Sequence, residues 1–132
     1  MDPASGHAAA LWVGLNLILL LILSGLVVRL RQKHKIALGD GGIPELARAV
    51  RTFGNAAEYV PTGMVALAVL AIVSAPAVAI HIVGVLLFAG RLIHGVGLFN
   101  TGGASIPRAI GMVLTWLGYL FAAVVLRLFA IA

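Results

Sequence analysis

Four apolar segments follow one another along the chain, and only short polar connections separate them. A hydrocarbon core about 30 Å thick takes about 20 residues of helix, so each segment is long enough to cross a bilayer. Charged residues make up only 10% of the chain, whereas soluble domains carry about 25%. The sequence therefore predicts an all-α integral membrane protein, and four spans in 132 residues leave no room for a separate soluble domain.

The segments predict one domain over residues 1–132, a four-transmembrane-helix bundle of up-down topology. Its helices are expected at about residues 9–31, 44–74, 78–99 and 106–131. Pro44 and Glu45 favour a helix start, because proline fits the first turn and an acidic side chain there complements the helix dipole. Pro76 favours a turn after the second helix, since the residue before a proline avoids helical conformation. The chain does not begin with basic residues, so the first segment is expected to be a mature helix rather than a signal peptide.

Basic residues are concentrated around the first connection. Six of the nine lie in or next to it, namely Arg29, Arg31, Lys33, Lys35, Arg48 and Arg51. Another, Arg108, follows the third helix. Because Lys and Arg favour the cytoplasmic side, the first and third connections are expected to be cytoplasmic, as in a multi-pass protein of a bacterial inner membrane. The charge of +5 is thus interpreted as a topology signal that also permits contact with anionic lipid, and no nucleic-acid partner is expected.

A polar stripe runs along the second helix. At about 100° per residue, six side chains fall within a narrow sector, namely Arg48, Arg51, Asn55, Glu58, Tyr59 and Thr62. Ionisable residues inside a membrane are costly and are candidate functional groups. The set suits a small zwitterion, because arginine binds carboxylates bidentately and glutamate accepts hydrogen bonds from an ammonium group. The alternative is that the stripe satisfies itself across a helix or subunit interface with no ligand.

The third and fourth helices carry further candidates. Arg91 and His94 are three residues apart and share one face. Either His94 bonds a ligand or exchanges a proton, or Arg91 pairs with Glu58 or another acid and His94 packs as a polar side chain. Small residues recur at helical spacing on the fourth helix and predict close helix packing; they are Gly111, Thr115, Gly118 and Ala122. Trp116 is also expected to pack rather than to act as an interfacial anchor. No metal site is expected, since no two histidines have ligand spacing on one helix.

The motif P-E-x2-R-x2-R-x3-N-x2-E-Y-x-P in the second helix resembles that of the membrane-associated proteins in eicosanoid and glutathione metabolism (MAPEG). It is formed by Pro44, Glu45, Arg48, Arg51, Asn55, Glu58, Tyr59 and Pro61. The segments FAGRLIHGVGL and PRAIGMVLTWLGYL look like those of bacterial members. The resemblance implies a homotrimer that binds glutathione between neighbouring subunits. It implies glutathione contacts at Arg51, Asn55, Glu58 and Tyr59, and at one basic residue ending the first helix, here Arg29 or Arg31.

The resemblance also implies transferase or peroxidase chemistry, in which an arginine-stabilised glutathione thiolate attacks a lipophilic electrophile or hydroperoxide. Eicosanoid-making relatives carry tyrosines on the third helix, where His94 and Leu98 stand here; eicosanoid synthesis is therefore not expected. Arg108 is the candidate for thiolate stabilisation, and Arg48, Arg91 and His94 complete the candidate ligand set. Two alternatives are a small four-helix transporter and a catalytically silent member that binds lipid or a protein partner.

Overall fold

The computed structural model describes residues 1–131, which form four α-helices. The helices are α1 Pro3–His34, α2 Pro44–Ile72, α3 Ala77–Asn100 and α4 Ile106–Ile131. All four are long and apolar enough to cross a membrane. The prediction of an all-α chain with four membrane-length helices is confirmed. The first helix begins at Pro3, several residues before the expected start at about residue 9.

The early start of α1 is explained by a side-chain cap. Asp2 is the N-cap residue, and its carboxylate accepts a hydrogen bond from the backbone N–H of Ser5 at 3.1 Å. Hydrogen bonds from Ser5 hold the pKa of the Asp2 carboxyl below its ordinary value of 3.8. The buried Ser5 hydroxyl also donates to the carbonyl oxygen of Ala75 at 2.6 Å. The cap thus lengthens α1 beyond the apolar segment and attaches its first turn to the α2–α3 connection.

α2 and α3 form the middle of the bundle, and each contacts every other helix. α1 and α4 lie on opposite sides and do not contact each other over residues 1–131. α3 and α4 approach closely, because a Cβ atom added to Gly90 would lie 2.7 Å from Thr115 Oγ1 and 2.8 Å from the carbonyl oxygen of Gly111. The buried residues of α4 are the four small residues expected to pack, Gly111, Thr115, Gly118 and Ala122.

Two apolar clusters fill the interior. The larger lies toward the α2–α3 connection and includes Leu67, Leu70, Ile80, Val83 and Leu87. The smaller lies toward the α1–α2 connection and contains Val27, Leu30, Leu46 and Ala49. Trp116 is 56% exposed, so it is not buried within the single chain, and its expected packing stays a prediction. It follows the buried Thr115 directly, and a rotation of about 100° per residue turns it away from α3.

Candidate functional site

A buried arginine lies between the two apolar clusters and joins three helices. Arg91 of α3 is 2% exposed. Its Nη1 donates to Asn55 Oδ1 of α2 at 2.8 Å. Its Nε donates to Thr115 Oγ1 at 2.8 Å, and its Nη2 donates to the carbonyl oxygen of Gly111 at 3.1 Å, both on α4. The guanidinium carbon also lies 4.9 Å from the centroid of the Tyr59 ring. Arg91 therefore fixes α2 and α4 relative to α3.

The charge of Arg91 has no carboxylate partner within residues 1–131, because all of its hydrogen-bond acceptors there are neutral. An unpaired buried charge is costly unless hydrogen bonds replace its hydration. Here three hydrogen bonds to oxygen, a weaker one to Met112 Sδ at 3.4 Å and an aromatic face provide that replacement. The pairing of Arg91 with Glu58 that the sequence allowed does not form, since Glu58 bonds Arg51 instead.

Arg51 and Glu58 form an ion pair on the outer face of α2. Arg51 Nη1 donates to Glu58 Oε1 at 3.1 Å, and the two side chains are 61% and 54% exposed in the single chain. They are seven residues apart, or about two helical turns. An ion pair exposed to water contributes only up to about 1 kcal/mol. Where water reaches this pair, a ligand that offers both a carboxylate and an ammonium group can displace it at low cost.

The side chains of the polar stripe on α2 differ in accessibility, because α3 packs against only part of the stripe. Asn55 is 6% exposed and turns into the bundle, with Tyr59 half-buried beside it. Arg48 is half-buried, and its Nε donates to the carbonyl oxygen of Phe99 at 2.9 Å. Tyr119 of α4 donates its hydroxyl hydrogen to the carbonyl oxygen of Tyr59. The sequence predicted a shared face of α2, but it did not show that only part of this face stays accessible.

Two neighbouring cavities lie beside the α3–α4 connection, and Gly102 lines both. The first has a volume of about 290 Å³ and is lined by Pro44, Ala47, Arg48, Arg51, Leu98 and Gly102. The second has a volume of about 530 Å³ and includes His94, Ser105, Arg108 and Met112 in its lining. The structure thus places Arg51 and Arg108, which come from different helices, along neighbouring cavities.

His94 and Ser105 are polar residues in the lining of the second cavity. His94 Nδ1 lies 3.0 Å from the carbonyl oxygen of Arg108. Because a carbonyl only accepts, Nδ1 carries the proton and Nε2 is the acceptor in the neutral ring. Among the described residues, neither His94 Nε2 nor Ser105 Oγ has a hydrogen-bond partner, although both are buried. Arg108 Nη1 donates to the carbonyl oxygen of Gly103, which holds this side chain along the α3–α4 connection.

Arg29 and Arg31 lie apart from these two cavities. Arg29 is exposed, and Arg31 Nη1 lies 3.4 Å from the carbonyl oxygen of Ala37 in the α1–α2 connection. Neither residue lines the cavities that contain Arg51 and Arg108. Their assignment to a ligand site stays a prediction that requires a second copy of the chain.

Thr115 and Tyr119 were not predicted as site residues. Thr115 accepts a hydrogen bond from Arg91, and Tyr119 donates one to the carbonyl oxygen of Tyr59. Thr115 was recognised only as a small packing residue. Its spacing with Gly111 already placed both on the face that meets α3. No spacing rule relates Tyr119 to Tyr59, because their contact depends on how α4 lies across α2.

Comparisons with known proteins agree with this architecture. The sequence is 40% identical over 108 residues to the inner membrane protein YecN of Escherichia coli strain K12, covering 82% of this chain and 81% of that protein. The YecN protein of Escherichia coli O6:H1 matches to the same extent. The MAPEG family matches over residues 9–128, which include all but the ends of the chain. The chain belongs to the MAPEG family.

Proposed function

We propose that this protein binds glutathione in a bacterial inner membrane and has glutathione transferase or peroxidase activity, as a homotrimer. The exposed ion pair between Arg51 and Glu58 on α2 is the main support for glutathione binding. Family membership and the inner membrane location in the name of its relative support the membrane part of the proposal.

The charges of glutathione complement this ion pair. Glutathione carries two carboxylates and one ammonium group at neutral pH. In the complex, Arg51 binds a carboxylate and Glu58 accepts hydrogen bonds from the ammonium group, so each side chain exchanges one partner of opposite charge for another. Charge-assisted and bidentate hydrogen bonds of this kind are the strong ones in proteins. Arg48, which lines the same cavity as Arg51, adds a second positive group for the remaining carboxylate.

A neighbouring copy would complete the site. In the single chain, the ion pair and the apolar residues beside it on α2, Ala57, Pro61 and Val65, are exposed. An ion pair facing lipid is costly, so this face favours coverage by another subunit. The same arrangement would bring a basic residue from the end of the neighbouring α1, Arg29 or Arg31, to the ligand. The exposed face supports assembly with another copy of the chain, and we propose that this assembly is a homotrimer.

Arg108 is the proposed activating residue. A cysteine thiol has an ordinary pKa of about 8.5 and is mostly protonated at neutral pH. A nearby guanidinium favours the thiolate electrostatically, and each unit by which the pKa falls corresponds to about 1.36 kcal/mol. The thiolate sulfur then forms a bond to an electrophilic carbon, and the leaving group departs with the displaced electron pair. A site at the membrane edge meets electrophiles dissolved in the bilayer.

Glutathione binding is tested by thermal unfolding of the detergent-purified protein. Saturating glutathione is expected to raise the melting temperature, because a ligand at about 100 times its Kd stabilises the folded state by about 2.7 kcal/mol. Arg51→Met and Glu58→Gln are expected to abolish this shift. Arg127→Met is the matched control, since Arg127 is an exposed arginine near the C-terminal end of α4, away from the first and third connections. An unchanged wild-type melting temperature at millimolar glutathione contradicts the proposal.

The catalytic part is tested by conjugation of glutathione to 1-chloro-2,4-dinitrobenzene. Arg108→Met is expected to lower turnover strongly and to leave the thermal shift largely intact, because Arg108 acts on the sulfur. Equal turnover in wild type and Arg108→Met would show that another group stabilises the thiolate. Binding without turnover against a panel of electrophiles and hydroperoxides would identify a catalytically silent family member.

A further inference from the structure

The contact between Arg91 and Asn55 determines which way the Asn55 amide points. A guanidinium has donors and no acceptor, so the atom that faces Arg91 Nη1 at 2.8 Å must be the amide oxygen. The opposite side of the amide, Nδ2 with its two N–H donors, is thereby left for another partner. This orientation follows because the guanidinium can only donate and, of the two amide atoms, only the oxygen can accept.

We infer that Arg91 is a positioning residue that fixes Asn55 as a hydrogen-bond donor toward the ligand. The ligand group that meets Asn55 is then an acceptor, namely a carboxylate or peptide carbonyl oxygen. This inference rests on the proposed glutathione site, because it assigns the hydrogen-bonding direction of one residue within it. Arg91 itself is 2% exposed and acts through Asn55.

The guanidinium is held from two sides, so it cannot turn away from Asn55 without losing other contacts. Thr115 Oγ1 and the carbonyl oxygen of Gly111 bind it from α4, at 2.8 Å and 3.1 Å. The ring of Tyr59 lies 4.9 Å away on α2. Any rotation of Arg91 that released Asn55 would also break these contacts. The orientation of the Asn55 amide is therefore fixed before a ligand binds.

The position of Asn55 on α2 agrees with this role. It lies four residues after Arg51 and three before Glu58, spacings that place all three on one side of the helix. A donor between an anion-binding and a cation-binding side chain suits the middle of an extended zwitterionic peptide. A peptide carbonyl lies between the charged ends of such a ligand.

A single nearly isosteric substitution separates the two orientations. Asn55→Asp supplies Arg91 with the carboxylate that it lacks, and it removes both N–H donors. If the amide donates to the ligand, the variant should be more stable and should bind glutathione more weakly. If the amide oxygen faced an ammonium group of the ligand, the same substitution would retain or increase affinity.

The experiment compares full-length wild type, Asn55→Asp and Arg91→Lys in detergent, by melting temperature and glutathione titration. Asn55→Asp is expected to melt above wild type without ligand and to lose at least about tenfold in affinity, or 1.4 kcal/mol. Arg91→Lys keeps the charge but lacks the guanidinium fork, and a similar loss of affinity is expected. Ser5→Ala, at the other end of the bundle, is the control that lowers stability without changing affinity.

A spectroscopic readout follows the amide directly. The chain contains three asparagines, Asn16, Asn55 and Asn100, so selective ¹⁵N labelling of asparagine yields three side-chain NH₂ signals. The signal missing in Asn55→Asp identifies Asn55. Glutathione is expected to shift this signal in wild type more than the other two. In Arg91→Lys the shift should be much smaller.

Wild-type affinity in either Asn55→Asp or Arg91→Lys overturns the inference, as does an Asn55 NH₂ signal that glutathione leaves in place. Without a thermal response of wild type to glutathione, the proposed function fails and this inference fails with it. The stability of Asn55→Asp then still reports on the unpaired charge of Arg91. A response lost in Arg51→Met but kept in Asn55→Asp overturns this inference alone.

Discussion

Gly111 is the position where one added methyl group should most disturb the helix packing. It lies where α4 meets α3, and a Cβ atom built on it would lie 2.6 Å from His94 Cβ and about as close to the carbonyl oxygen of Gly90. Backbone atoms of two packed helices cannot move aside locally, so Gly111→Ala should force α3 and α4 apart. The separation would also weaken the hydrogen bond from Arg91 to the carbonyl oxygen of Gly111.

The stability cost of Gly111→Ala can be estimated by comparison with a glycine that has free space around it. Gly25 lies inside α1, and a Cβ atom there would have no neighbour within 4 Å. Both substitutions gain the same intrinsic helix preference of alanine over glycine, about 1 kcal/mol. The difference between them is therefore the packing term, about 1 to 3 kcal/mol for an overpacked site. The stability of Gly118→Ala should fall between those of the other two variants, because a Cβ atom built on Gly118 would have Leu86 Cβ as its nearest neighbour, at 3.2 Å.

The assay is thermal unfolding of the three purified variants in the same detergent, without ligand. The expected order of stability is Gly25→Ala, then Gly118→Ala, then Gly111→Ala. If Gly111→Ala were as stable as Gly25→Ala, the close approach of α3 and α4 would be refuted. The hydrogen bond from Arg91 to the backbone of α4 would be refuted with it.

Three further predictions concern the end of the bundle that carries the α2–α3 connection, each measured by thermal unfolding. Ser5→Ala should cost about 1 to 3 kcal/mol, because it removes the donor to the buried carbonyl oxygen of Ala75. Asp2→Asn should be less stable than wild type above pH 3.8. Because the folded-state pKa of Asp2 is lowered, this difference should disappear as the pH falls through that pKa; a constant difference at all pH values contradicts the cap. Trp12→Phe removes the donor to His81 Nδ1 at 3.0 Å and should cost about 1 kcal/mol, whereas wild-type stability would show that this contact is unimportant.

The helices and the close packing of α4 could be predicted from the sequence. Apolar length alone indicates four spans, and small residues at helical spacing identify the buried face of α4. The start of α1 could not be predicted from hydropathy, because a side-chain cap at Asp2 sets it. The exposure of Trp116 in the single chain could not be predicted from its apolar character, which suits both lipid and protein surroundings. Only its angle from Thr115 distinguishes them.

The candidate site was predictable on one helix but not between helices. Helical geometry placed Arg51, Asn55 and Glu58 on one face of α2. It could not show that Asn55 turns toward Arg91 while the two charged side chains pair with each other. These side-chain pairings depend on where α3 packs against α2. The cavities that Gly102 lines depend likewise on the path of the α3–α4 connection, which has no periodic pattern.

Calorimetric titration of glutathione into wild type and the double variant Arg51→Glu/Glu58→Arg tests directly whether this ion pair binds glutathione. The swapped pair keeps the net charge and can still form an ion pair, so its stability should stay close to that of wild type. Each charge of the ligand would now meet its own sign, and glutathione affinity should fall by at least about tenfold. Equal affinity in the two proteins, or no binding to wild type, would contradict the assignment of this ion pair as the glutathione site.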